Sequence, residues 1–192
     1  MTWPTLTIFA RWPEPGQVKT RLIPALGAEG AAALYRRMLR ETVREARDSG
    51  LSVSLRTTGA EPERFSQLLG GEFAIEDQGE GDLGARMARV APPAILVGSD
   101  CPELTAALIR RAAGALERAP AVIGPAHDGG YYLLGLARPM PFLFHAMEWS
   151  TGGVFEEAMR RFERHGVAPV VLPRLRDIDT PDDLAACPHL AP

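Results

Sequence analysis

Ala121-Val122-Ile123-Gly124-Pro125-Ala126-His127-Asp128-Gly129-Gly130-Tyr131-Tyr132-Leu133-Leu134-Gly135-Leu136 is two apolar runs joined by a turn. Neighbouring parallel strands need a crossover of a dozen or more residues, usually a helix, and this stretch leaves no room for one. Upstream, short aliphatic runs alternate with helical patterns: a strand over 6–9, then Ala31, Leu34, Tyr35, Met38, Thr42 and Ala46 at helical spacing, then a strand over 51–55. The alternation continues as helix 61–69, strand 73–75, helix 83–90, strand 94–97 and helix 105–119. Continuous apolar strands separated by helices predict a parallel sheet covered on both faces. The 121–136 stretch turns that prediction into a mixed, mostly parallel sheet. A helix over 154–164, capped by Ser150 or Thr151 and stopped by Gly166, and a last core strand over 167–172 complete the α/β reading.

With 192 residues, 46% of them hydrophobic and 23% charged, the chain suits one globular domain over 1–192. The formal net charge of -3 gives no general basic field, so nucleic acid is not an expected partner. Arg36, Arg37, Arg40, Arg44 and Arg47 interleave with Glu41 and Glu45 and read as a solvated helix face. The apolar residues 6–10 are too few for a secretory signal and end at Arg11, and no run reaches membrane-spanning length. Two cysteines, Cys101 and Cys187, make no disulfide framework, which fits a reducing cytoplasm. His127, His145, His165 and His189 lack zinc-like spacing. Oligomeric state is not legible.

In a parallel sheet, ligands bind outside the carboxyl ends of the strands. Four segments there carry chemistry. The first, Arg11-Trp12-Pro13-Glu14-Pro15-Gly16-Gln17-Val18-Lys19-Thr20-Arg21, contains the only lysine among twenty arginines. A compact ammonium between two planar guanidinium forks, on a loop turned by Gly16, suits clustered phosphate oxygens, although an arginine-rich composition can leave one lysine behind by drift. The loop lacks Walker A spacing. The second, Ile95-Leu96-Val97-Gly98-Ser99-Asp100-Cys101-Pro102, aims Asp100 at the ligand edge. There it either contributes to a magnesium site, which typically needs only one or two protein carboxylates, or caps the turn before Pro102. Cys101 has no paired histidine and reads as a small packed residue rather than a nucleophile.

The third is the 124–132 turn, where Gly129 and Gly130 after Asp128 permit close backbone approach to a ligand, or form a plain Asp-Gly turn. The fourth is Arg176-Asp177-Ile178-Asp179-Thr180-Pro181-Asp182-Asp183-Leu184. Thr180 as N-cap and Pro181 at the first helical position explain Asp182 and Asp183 structurally. Asp177 and Asp179 lie on one side of an extended segment, and one of them is a candidate second metal contact. Gly79-Glu80-Gly81-Asp82-Leu83-Gly84 satisfies a dinucleotide fingerprint, but Glu80 and Asp82 would stand where a pyrophosphate must sit, and two strands precede it. Asp82 better caps a short helix or touches a ribose hydroxyl.

These segments, with Gly81-Asp82-Leu83-Gly84-Ala85-Arg86-Met87 and Trp149-Ser150-Thr151, make the chain resemble the bacterial DUF2064 family, also called selenodomain-associated transferase 1. The resemblance spans nearly the whole chain. It implies the A-type glycosyltransferase, or nucleotide-diphospho-sugar transferase, fold and similarity to the phospholactate and molybdenum cofactor guanylyltransferases. It further implies a nucleotide with magnesium or manganese. Arg11, Gly16, Lys19, Arg21, Asp82, Gly129 and Gly130 would bind the nucleotide, and Asp100 with Asp179 the metal. The chain departs from the cofactor guanylyltransferases in having Ala10-Arg11-Trp12-Pro13 where they carry Gly-Gly-x-Ser-x-Arg-Met-Gly, and from many glycosyltransferases in lacking Asp-x-Asp at Asp100.

The expected activity is magnesium-dependent transfer from a nucleotide-sugar donor to a small-molecule acceptor. Lys19 and Arg21 share the departing charge, and Asp128 serves as base for the acceptor hydroxyl unless it is a ligand. Trp149, Tyr131 and Tyr132 either line the acceptor side or, for Trp149, pack in the core. The alternatives are nucleotidyl transfer releasing pyrophosphate, and nucleotide binding without turnover.

Overall fold

A computed structural model describes residues 3–71, 73–187 and 190, so His189 lies outside the described residues. Seven strands form one sheet: β1 (Thr5–Arg11), β2 (Val53–Thr58), β3 (Ala74–Asp77), β4 (Ala94–Val97), β5 (Ala121–Pro125), β6 (Tyr131–Leu136) and β7 (Val170–Val171). Their order is β3-β2-β1-β4-β6-β5-β7. The first four pair in parallel, with Ile8 opposite both Leu55 and Val97. β6 runs antiparallel between β4 and β5, its Leu134 opposite Leu96 on one side and Ile123 on the other. The sheet is thus mixed and mostly parallel, as the helix-free 121–136 stretch predicts. Because β5 runs with β4, the carboxyl ends of β1, β4 and β5 and the start of β6 share one rim.

Helices α1 (Ile23–Asp48), α2 (Pro62–Leu69), α3 (Leu83–Ala88), α4 (Ala106–Leu116), α5 (Val154–Arg164) and α6 (Pro181–Ala186) flank the sheet. One core layer joins Leu6, Ile8, Leu39, Val43, Ile95 and Ile109; the other joins Leu96, Ile123, Leu134, Met147 and Phe162. Each such side chain, removed from water, contributes about 1.5–3 kcal/mol. A third cluster unites both ends of the described chain: Val18, Leu22, Tyr35 and Met38 pack with Ile178, Leu184 and Leu190. It docks the α6 segment beside the loop after β1, and so positions the site.

Local expectations met several different outcomes. Thr105 caps α4 by accepting from Leu108 N, and α1 starts well before Ala31, broken at Gly27 where φ is 71°. α5 begins after Gly153 with no side-chain cap; the Thr151 hydroxyl donates to Glu148 O instead. The expected core strand over 167–172 is only the two-residue β7, an edge strand with Val171 exposed, since one neighbour on β5 is all it has. The arginine run is more anchored than a solvated face: Arg40 donates to Leu68 O, and Arg47 donates to Gly70 O and lies 4.5 Å over Phe73. No described helix is long and apolar enough to cross a membrane.

Candidate functional site

The shared rim opens on a cavity of about 620 Å³, within the usual range for small-molecule sites. Arg21, Asp100, Asp128, Asp177 and Asp179 line it together with Leu83, Tyr131, Trp149 and Val154. Both sequence-predicted acids of the extended segment, Asp177 and Asp179, line it, while the intervening Ile178 is fully buried in the third cluster. That is the strand-like alternation their spacing predicts.

Lys19 sits in the left-handed region, φ 47° and ψ 43°, and its carbonyl accepts from Leu22 N at 2.8 Å. Such a conformation costs a non-glycine residue about 1–3 kcal/mol and persists where surrounding structure over-determines it, often at ligand clamps. Here the buried neighbours Val18 and Leu22 hold the loop, and the Lys19 side chain is 5% exposed. Its Nζ donates to Asp100 Oδ2 at 2.9 Å and stands 3.7 Å from Asp179 Oδ1. Arg21, 71% exposed, donates from Nη1 to Asp179 Oδ2 at 2.7 Å. Burial alone would lower the Lys19 pKa, but Asp100 and then Asp179 outweigh it and hold it above 10.5. Burial would likewise raise Asp100, yet the Lys19 charge and hydrogen bond keep it below the usual carboxylate range. The pair is charged on both sides.

Backbone contacts fix these acids. The Asp100 carbonyl accepts from Ile178 N at 3.0 Å, which ties the β4 end to the α6 segment. Asp183 accepts from Thr180 N, and Thr180 Oγ1 from Asp183 N, a capping box that sets the α6 start next to Asp179. Behind Asp100, the Tyr35 hydroxyl accepts from Arg11 N at 3.0 Å and shares a 2.8 Å bond with Ser99 Oγ. Tyr35 and Ser99 were not legible as site supports: Tyr35 reads as one more apolar-face residue of α1, and only the phenol's need for a buried partner marks it.

The 126–130 turn takes the Asp-Gly geometry. Gly130 N donates to Asp128 Oδ1 at 2.7 Å, and Ala126 N to Gly130 O. Gly129, at φ 89°, admits backbone rather than ligand: a Cβ there would overlap the Gly152 carbonyl, and Phe155 N donates to Gly129 O. Asp128 and Asp100 stand on one rim but not on adjacent strands, since β6 lies between β4 and β5. Burial first, and then the negative charge of Asp128, push the Asp177 carboxyl above its ordinary value.

Three expected contacts fall elsewhere or are committed. Arg11 is exposed at the β1 end, its Nη2 3.4 Å from Gln17 Oε1, and does not line the cavity. Gly16 turns the loop at φ 80° without lining the cavity. Asp82 caps α3 by accepting from Ala85 N, and Arg86 and Arg89 hold the carbonyls of Gly81, Gln78 and Glu80. The 79–84 loop therefore turns oxygens, not a nest of amides, to its bound groups, unlike a dinucleotide fingerprint. Cys101 is buried, and burial together with the Asp100 and Glu103 charges pushes its thiol up, the opposite of the shift that activates a nucleophile.

Among the described residues no three His, Cys, Asp or Glu side chains form a ready metal cluster. Magnesium nonetheless usually takes one or two carboxylates plus substrate phosphate. Asp100 and Asp179 share one pocket with Asp128 and Asp177, and the mutual repulsion seen at Asp177 is what a bound cation would relieve. The donor set fits such an ion.

Residues 41–151 match the family model described as "Uncharacterized protein conserved in bacteria (DUF2064)". A crystal structure of a candidate nucleotide-diphospho-sugar transferase from Desulfovibrio desulfuricans G20 superposes with a TM-score of 0.90 at 30% identity, over 97% of this chain and 87% of that one. Rv0371c of Mycobacterium tuberculosis H37Rv, crystallised with manganese, matches at TM-score 0.57 and 19% identity over 96% and 97% of the chains. The 2-C-methyl-D-erythritol 4-phosphate cytidylyltransferase of Thermus thermophilus matches at 0.55 and 18% over 99% and 98%. At those identities the last two establish the fold alone. Among curated proteins no significant match was found.

Proposed function

We propose that this chain, which belongs to the DUF2064 family, is a transferase that uses an activated nucleotide, and that its donor is a nucleotide-sugar. The observation that carries this reading is the convergence of Arg21, Asp100 and Asp179 on the cavity, from segments far apart in sequence, with Lys19 covered behind Asp100 and Asp179. A pocket lined by one cation and four carboxylates, with a second cation directly behind two of them, suits a polyphosphate carrying its own divalent metal: the cations serve phosphate oxygens, the acids the metal. The 30%-identical relative described as a candidate nucleotide-diphospho-sugar transferase supports the donor class.

In this mechanism Asp100 and Asp179 would hold magnesium or manganese, which would supply charge stabilisation to the diphosphate. Lys19, already desolvated and oriented by Asp100, shifts part of its charge to the departing phosphate. Preorganised cations of this kind act most strongly where water is excluded. Arg21, exposed and held by Asp179, meets the outer phosphate. Asp128, exposed at the rim, accepts the proton of the acceptor hydroxyl.

The test is product analysis. Incubation with magnesium or manganese, a panel of nucleotide sugars and nucleoside triphosphates, and cell-extract acceptors should release nucleoside diphosphate, and Asp100→Asn should abolish it. Release of pyrophosphate would instead assign nucleotidyl transfer to the same site. Binding with no consumption across the panel would remove catalysis altogether.

A further inference from the structure

Between β6 and α5 the chain runs through residues 137–153 with one short piece of regular structure, the 3-10 turn Pro141–Leu143. Connections of that length are usually functional. The later part of this one is a wall of the cavity, which Trp149, Ser150, Thr151 and Gly152 all line. Behind the wall lies a second hollow of about 300 Å³, lined by Ala146, Met147, Glu148 and Arg161 among others. Thr151 and Val154 line both spaces, so a single run of backbone separates them.

Such a wall does not hold itself. Among the described residues, the one backbone–backbone hydrogen bond made by residues 146–152 runs from Trp149 N to Met147 O, inside the segment. Met147 packs into the second core layer, but the carbonyls that precede it meet a single side chain. Arg161 of α5, with a side chain 11% exposed, donates from Nη1 to Phe142 O at 3.1 Å, Leu143 O at 3.3 Å and His145 O at 2.6 Å, and from Nη2 to Ala146 O at 3.0 Å. Glu157 Oε1 accepts from its Nε at 2.8 Å and fixes the fork.

Ala146 is left-handed, at φ 49°, and the two carbonyls that bound it are both held by this guanidinium. Backbone strain of that kind persists where the surroundings over-determine it, and it clusters at functional sites. At its other end the wall rests on the Asp128 turn, since Gly152 backbone fills the space that a Gly129 Cβ would need, and Phe155 N donates to Gly129 O. Contacts thus run from Arg161, which does not line the cavity, to the turn that carries Asp128.

We propose that Arg161 is a positioning residue for ligand binding: its fork sets the left-handed turn at Ala146, and through it the place of the 149–152 wall against which the ligand lies. Lysine carries the same charge without the planar fork, so charge alone does not replace it. That the ligand is an activated nucleotide rests on the transferase reading; the hold of Arg161 on the wall does not.

Two variants of the full chain test this. Arg161→Lys keeps a cation beside Glu157 and loses the fork. In its backbone amide NMR spectrum the resonances of 147–152 and of Gly129 should shift, and order across 147–152 should fall, while β1 and β4 keep their positions. With a nucleotide sugar that the wild type consumes, kcat/KM should fall by about 10–100-fold, most of it in KM, because a displaced wall loses fit without removing a reacting group. Arg161→Ala leaves room for a free guanidinium ion, which at low millimolar concentration should return both the spectrum and KM toward wild type, whereas potassium at equal ionic strength should not. Wall and Gly129 resonances that stay in place in Arg161→Lys, or a loss confined to kcat with KM unchanged for donor and acceptor, would overturn the proposal. If the wild type consumes no nucleotide, the transferase reading falls and the spectra alone decide the role of Arg161.

Discussion

Lys19 Nζ and Asp100 Oδ2, 81 residues apart in sequence, stand 2.9 Å from each other, the lysine side chain covered and the carboxylate 44% exposed toward the cavity. The asymmetry gives each a task. The carboxylate fixes an ammonium whose pKa burial alone would lower, and its exposed face remains open to the cavity.

Lys19→Met should leave a folded protein and lower turnover at saturating donor by about 100-fold, the usual effect of losing one preorganised charge donor. Lys19→Arg should recover little, because a planar fork does not fit the compact covered position. Steady-state release of nucleoside diphosphate measures both, and unchanged turnover in Lys19→Met would remove the lysine from catalysis.

The same pair sets a pH signature. Asp100 is held below its ordinary value, so its contribution is present above the unfolded carboxylate pKa and is lost as pH falls through the lower folded value. Lys19 is held above 10.5, so its contribution is complete below that value and is lost as pH rises through the folded one. The difference in Tm between wild type and Lys19→Met should therefore be flat between about pH 5 and pH 10 and narrow at both extremes. Asp177 has the opposite sign: its raised carboxyl penalises the folded state once ionised, and the penalty is gone below the unfolded carboxylate pKa. Asp128→Asn should raise Tm slightly at neutral pH while weakening turnover, as thermal melts and product assays would register.

Tyr35→Phe removes a hydroxyl that serves both Arg11 N and Ser99 Oγ. An unsatisfied buried group costs about 1–3 kcal/mol, so Tm should fall by about 3–8 °C. Because the hydroxyl joins the ends of β1 and β4, nucleotide affinity should fall with it, which calorimetric titration would measure.

Gly129→Ala drives a methyl into the Gly152 carbonyl at a left-handed φ. Destabilisation of about 3 kcal/mol or more is expected. Gly130→Ala, whose added methyl would meet the Asp128 carboxylate first, at 3.1 Å, should cost much less. Chemical denaturation of the two variants gives the comparison.

The centre of the sheet was legible because β4, β5 and β6 are nearly uninterrupted apolar runs, and the reversal at β6 because residues 126–130 leave no length for a crossover. Strand 167–172 misled because Val167, Val170, Val171 and Leu172 look alike in sequence. Only pairing decides which residues join a ladder, and Val167 packs under α5 instead. At the site, Lys19, Asp100, Asp177 and Asp179 were legible by position after apolar runs. The Lys19 to Asp179 partnership was not, since it depends on the docking of α6 against α1 through Leu22, Ile178 and Leu184. At Asp82 and Gly129 the structural alternative offered by the sequence, a helix cap and an Asp-Gly turn, is the one the local hydrogen bonds and packing take.

Arg21 and Asp179 meet across 158 residues. Contacts of such long range form slowly. Arg21 finds its partner only once the segment ahead of α6 has docked on the third cluster, so this pairing is expected among the late contacts of folding.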